Sequence, residues 1–473
     1  MPKFRHATVG QRAAQIDARG VLEPVQFEGS SINVNLTQRL VINKGGVYSV
    51  QGDATPQSGT LPYISVITTE RVTILGNFST LNTTNLPAAG SIIDVMVGGR
   101  ISVQNLNFLG PAGNTQTVLS ANACKALQFL ECTVDTYNKG VVIQGASRGL
   151  EVVNCNFYNV TRDIEQLNGG SCDGPQILFN RSFEILGGGA TGHHVYLRGS
   201  CTNILIQGNV CKNKHVYVYN CFGDTIQSNV GYDDANGATD EIFILSGGDA
   251  TPSAPTLPGA DVGCSNCLIL NNKYQQATTA AGGSFAGSCV VCLYCKNCTI
   301  KGNKSYLNDA TQTSVAAHFA GSYCEGCNYY DNEGYGLVAL GIYSCDFYGV
   351  NVACKDTNII GNKIADAYQG ISLLRCSNAL IENNHSSRAA TAFVVSEGAT
   401  QTVLKDNTAQ GCTVQGLYNG IWAPATPGLF AAFSDAFLQP PVNTNLINNS
   451  FHNTTGGIVE PVVTVKTGYN VVN

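Results

Sequence analysis

An apolar residue followed three positions later by asparagine recurs along most of this 473-residue chain. The pairs begin at Ile74 and Asn77, Val153 and Asn156, Ile177 and Asn180, Ile206 and Asn209, and Ile226 and Asn229. They continue through Ile269 and Asn272, Ile300 and Asn303, Tyr329 and Asn332, Ile359 and Asn362, Ile381 and Asn384, Leu404 and Asn407, and Leu446 and Asn449. Two coils bend the rule: Asn107 follows Gln104, and Cys132 stands where the next asparagine belongs. Most steps are 20 to 31 residues, the length of one coil of a solenoid that grows by adding repeats. About fourteen coils stacked at the normal strand spacing give a rod roughly 65 Å long. Corner asparagines in such a stack hydrogen-bond to their copies above and below, which gives the repeat a physical reason.

A second column obeys the same register. Cys124, Cys172, Cys201, Cys221, Cys264, Cys295, Cys324, Cys354 and Cys376 each lie eight residues before an anchor, and Cys267, Cys298 and Cys327 lie five before theirs. Cys264/Cys267, Cys324/Cys327 and Cys292/Cys295/Cys298 have metal-site spacing. A small, weakly polar side chain also stacks well inside a coil, so the sequence predicts free thiols, no metal and a reducing site of folding. Charged residues make up only 12% of the chain and glycines number 52, which favours strands and tight turns over amphipathic helices.

The I-x-x-N corners, the cysteine column and the coil length resemble the pectate-lyase-like right-handed parallel β-helix superfamily, over roughly residues 65 to 460. The resemblance implies an all-β, right-handed parallel β-helix. That superfamily includes polysaccharide lyases, hydrolases, epimerases and viral tailspikes, so it implies a polysaccharide or surface glycan as partner without fixing the chemistry. This chain departs from the polygalacturonase pattern: it has no N-T-D, G-H-G or R-I-K motif, and Gly192-His193-His194 is a partial echo. The Arg-rich strand and aspartate set of a calcium pectate lyase are also missing, so no cofactor is predicted.

The repeat divides the chain into an N-terminal capping segment (1–60), the β-helix (61–456) and a C-terminal cap (457–473). Two long steps carry Pro-rich insertions, near 232–263 and 423–444, where a rigid scaffold tends to place binding loops. The formal net charge of −6 argues against a nucleic-acid partner. No apolar run is long enough to span a bilayer, and the first residues lack the apolar segment of a signal peptide.

Strand alternation singles out one cluster. His194-Val195-Tyr196-Leu197-Arg198, His215-Val216-Tyr217-Val218-Tyr219 and Glu241-Ile242-Phe243 align on successive coils. Valine, leucine and isoleucine face in, so His194, Tyr196, Arg198, His215, Tyr217, Tyr219 and Glu241 face out, with His194 beside His215. Such a patch supplies base, acid and cation for elimination on a uronic-acid polymer, with His194, His215, Tyr196, Tyr217 and Arg198 as catalytic candidates. Asp163, Tyr219, Asp233, Asp234, Asp240 and Glu241 are the candidates for substrate contact. Hydrolysis fits less well, because Asp163 and Glu241 are three coils apart and glycosidases hold two carboxyls within about 5 to 9.5 Å. Lyase or epimerase chemistry is therefore favoured. The alternative is a non-catalytic fibre of a virus particle or cell surface, built as a homotrimer or array. His318, His385 and His452 sit alone and read as surface residues.

Overall fold

A computed structural model describes residues 31–113, 115–183, 192–233, 242–247, 263–276, 288–308, 317–345, 354–396, 398–420, 441–456, 458–459, 465–467 and 471–472. Among these residues there are strands and turns and no helix, hence none long and apolar enough to cross a membrane. The chain is a right-handed parallel β-helix. One face is a 17-stranded parallel sheet that takes one strand from every coil. The other 28 strands form a second sheet of two parallel ladders. Long strands that bend through the corner join them, among them Thr133–Gln144, Asn156–Asp173 and Glu333–Cys345. The apolar residue of each pair in the repeat lies on a strand of the 17-stranded face. Three further rungs lie outside the repeat: Ile32–Val34 and Gly46–Val50 at one end, within the expected capping segment, and Val465–Thr467 at the other.

The corner asparagines form a continuous ladder from Asn180 to Asn449. Asn303 shows the pattern: its backbone N–H and its Nδ2 both donate to Asn332 Oδ1 at 3.0 Å, Nδ2 also reaches Ile269 O, and its own Oδ1 accepts from Asn272. These amides are buried with every bond made inside the stack, which is the condition for burying them at all. The residue before each corner takes a left-handed conformation, as at Ser228, Asn271, Gly302 and Asp331. That requirement explains why Asn, Asp and Gly crowd these positions.

Register corrects two anchors near the start. Val103, Phe129, Val152 and Ile177 stack on one another, so the ladder position three residues on is held by Leu106, Cys132 and Cys155, and not by Asn107 or Asn156. Asn77 is exposed and bonds to Ser49 and Val50. From Leu106 to Cys155 the position is therefore apolar or thiol, and it is amide thereafter, with Cys155 N–H donating to Asn180 Oδ1 as the junction.

Eighteen of the nineteen cysteines are free and buried. The residues that follow the column from Cys201 to Cys376 bridge in unbroken succession, Thr202, Phe222, Ser265, Lys296, Glu325, Lys355 and Ser377. The column is therefore a real stack. The core fills the solenoid with aliphatic and aromatic layers such as Ile164, Val195, Val216, Ile244, Val290 and Phe319.

Candidate functional site

The outer face of four consecutive coils gathers most of the polar candidates. Register aligns Lys139, Arg162, His193 and His215 in one column, Glu165, Tyr196 and Tyr217 in a second, and Arg198 with Tyr219 in a third. Ile164, Val195 and Val216 alternate with them on the inside, which is why these side chains face out. Tyr196 is the centre. The Arg162 guanidinium lies 4.6 Å and that of Arg198 5.4 Å from its ring centroid, a cation–π arrangement on both sides. The His193 ring packs edge-on against Tyr196 and Tyr217, each at 4.6 Å, and Tyr219 meets Tyr196 at 5.9 Å. Glu165 is buried and held by Lys139 at 2.6 Å and by Arg162. Tyr196, Arg162, Arg198 and Lys139 stay partly exposed, whereas His193, His215, Tyr217 and Tyr219 are buried.

His194 is not on this face. A bulge between His193 and Val195 inserts one residue against the neighbouring coil, and the extra residue turns inward, where His194 is fully buried. Such insertions are how strands re-aim a side chain. Its Nδ1 lies 2.9 Å from Asp163 Oδ2, and its ring meets Phe157 edge-on. Asp163 also accepts from Ser182 and faces the fully buried Lys214 at 3.5 Å. The expected pairing of His194 with His215 is therefore replaced by His193 with His215, and Asp163 is an interior anchor and makes no outer wall. Asp233 is likewise buried, bonded by His215 Nε2 at 3.1 Å and by the Tyr274 hydroxyl. Burial, then the Asp163 carboxylate, holds the Cys211 thiol between these groups well above the ordinary thiol range.

Of the sequence candidates, Tyr196, Tyr217, Tyr219, Arg198 and His215 converge, while His194, Asp163 and Asp233 support them from within. Asp234, Asp240 and Glu241 lie outside the described residues, as do the cores of both Pro-rich insertions. Lys139, Arg162, Glu165, His193 and Lys214 were not singled out for the site. A doublet of histidines at the start of a strand was the available signal, because one of two adjacent side chains must face each way unless a bulge intervenes. His318 is also corrected: it is fully buried and bonded to Ser305.

The described carboxylates make no glycosidase pair on this face. Asp163 and Glu165 leave opposite sides of their strand, one bonded to His194 inside and the other to Lys139 and Arg162 outside.

No family model matches the chain, and neither does any curated protein. Among solved structures it is similar to the tailspike protein of E. coli bacteriophage HK620 in complex with a pentasaccharide, at 8% identity over 85% of this chain and 74% of that one, with a TM-score of 0.36. It is also similar to a PL6 alginate lyase in complex with a trisaccharide, at 12% identity over 97% of this chain and 86% of that one, with a TM-score of 0.32. At such identities the likeness is one of architecture alone.

Proposed function

We propose that this β-helix engages an acidic polysaccharide on the outer face around Tyr196, and that its chemistry there is of the lyase or epimerase type. The observation that carries the reading is the partly exposed Tyr196 ring with Arg162 and Arg198 against it and Lys139 one coil further. The whole chain is acidic, with a net charge of −6, so a local concentration of cations needs a partner that rewards it. A ring beside guanidinium groups suits a uronic acid: the ring lies along a sugar face, and the cations meet the carboxylate.

Elimination and epimerisation both begin by removing the proton α to that carboxylate. Arg198 and Arg162 neutralise the carboxylate and lower the cost of the developing negative charge. His193 is the imidazole in contact with Tyr196, and Tyr217 carries the hydroxyl beside it; these two are the candidate base and acid. His215, braced by Asp233, backs His193 from the neighbouring coil. A hydrolase reading is weaker for want of a carboxyl pair on this face among the described residues.

The test is a panel of acidic polysaccharides incubated with the protein, followed by unsaturated-product absorbance, reducing ends, and deuterium uptake at the α-carbon in heavy water. Absorbance or deuterium uptake that disappears in Arg198→Ala and His193→Ala supports the reading. Binding lost in Arg198→Ala without turnover keeps the glycan and removes the chemistry. Reducing ends without unsaturation, or no binding to any acidic polymer, contradicts it.

A further inference from the structure

The position two residues before the stacked Ile226, Ile269, Ile300 and Tyr329 of the 17-stranded face holds Asp224, Cys267, Cys298 and Cys327 in successive coils. Further along, the same position takes Thr357, Ala379 and Thr402. All of these are small or uncharged except Asp224, a carboxylic acid 1% exposed inside the solenoid. Its Oδ2 accepts a weak bond from Cys267 Sγ at 3.6 Å, and its Oδ1 is buried with no hydrogen-bond partner. An isolated buried carboxylate is costly, and an orphaned oxygen adds to the cost. Threonine at this position, as at 357 and 402, would fit the stack without either cost.

What surrounds Asp224 suggests why the acid is there. One ligand atom from each of Asp224, Cys264 and Cys267 lies within 4.8 Å of the other two, and all three residues are buried. Cys221 lies beside Cys264, and Cys298 beside Cys267, so a further thiol stands next to each sulfur ligand. We propose that Asp224, Cys264 and Cys267 form a structural site for one borderline-soft divalent cation of the zinc class, completed by a neighbouring thiol. This goes beyond the sequence expectation of no metal, and it is independent of the glycan face.

Zinc accepts mixed sulfur and oxygen ligands in a tetrahedron, with Zn–S of about 2.3 Å, which sets ligand atoms roughly 3.8 Å apart. The three ligand atoms lie within 4.8 Å of one another, so the site reaches that spacing by shifts of about 1 Å or less. On binding, the Cys264 and Cys267 thiols and the Asp224 carboxyl give up their protons to solvent, so two thiolates and one carboxylate face the two positive charges. The fourth ligand is an adjacent thiol, which keeps its proton or releases it as a further one. Because the three residues are buried in the stack, the ion enters as the coils close during folding.

The experiment is metal analysis of protein produced with zinc in the medium, together with the absorption spectrum after refolding in cobalt(II). The expected result is about one zinc per chain and, with cobalt, thiolate charge-transfer and intense tetrahedral bands. Asp224→Asn and Cys267→Ser should lower the metal content about tenfold or more. Asp224→Cys continues the thiol column, so it should fold and retain the metal, with stronger charge-transfer absorption; it keeps the test decisive if the other variants fail to fold. Protein that lacks metal both as purified and after refolding with zinc overturns the site. Metal content unchanged in the folded Asp224→Asn and Cys267→Ser variants overturns it as well. Glycan binding measured on the same samples separates failure here from failure at the outer face.

Discussion

The same columns of one solenoid carry different chemistry in two stretches. In the coils from Thr133 to Tyr219, the outer column reads Glu165, Tyr196, Tyr217, and the residues before the inner Ile164 and Val195 are Asp163 and His194. In the coils from Ser288 to Ser396, the equivalent outer column reads Val291, Ala320, Tyr343, Ser372, Val394, and the residues before Ile342, Ile371 and Phe393 are Gly341, Gly370 and Ala392. Backbone pairing is the same in both, so the fold does not demand the polar set. Burying the Asp163–Lys214 ion pair beside His194 costs stability; among the described residues of the second stretch the same column buries a histidine, His318, but no ion pair. Under the proposed function, the first stretch is where the chain trades stability for a site, with the interior polar cluster holding the strand that presents Glu165 and Tyr196.

The largest expected effect is at that interior cluster. Asp163→Ala leaves Lys214 buried without its partner and should destabilise the protein by about 3 to 5 kcal/mol, read as a lower denaturant midpoint. Asp163→Leu with Lys214→Met should recover most of the loss, because an apolar pair of similar volume suits the column; failure to recover would break the comparison. In the second stretch, Asn303→Ala removes bonds to Asn272, Asn332 and Ile269 and should cost about 2 to 3 kcal/mol in the same measurement.

A pH effect comes next. His318 is fully buried, and burial lowers its pKa to about 3 from the ordinary 6.5. The unfolded chain takes up this proton below pH 6.5 while the folded chain resists it. Stability should therefore fall as the pH drops from about 6.5 toward 3, by up to about 1.4 kcal/mol per pH unit. His318→Leu should flatten that part of the profile, and an unchanged slope would assign the loss to other groups. The smallest effect is on the outer face: Arg198→Ala should change stability by less than about 0.5 kcal/mol while weakening binding of an acidic glycan about tenfold or more.

Much of the architecture was legible because coil period, corner asparagine and cysteine column are all local consequences of stacking. The anchors at Asn107 and Asn156 were misread by one residue because an asparagine directly follows the corner in these coils, one position past Leu106 and Cys155, and residue type alone does not separate it from the corner itself. The site was half legible. Alternation found Tyr196, Arg198, Tyr217 and Tyr219, but a bulge has no mark in the sequence, so His193 and His194 exchanged faces. The pairing of Asp163 with Lys214 was hidden for a different reason: a buried ion pair looks like two surface charges until the register puts them together.

The most direct test of the account is a structure of the protein with oligosaccharides from a partial digest of polygalacturonate or alginate. The account predicts a sugar ring along Tyr196 with its carboxylate on Arg198 and Arg162. Sugar bound on another face of the rod, with the Tyr196 surface empty, would contradict it.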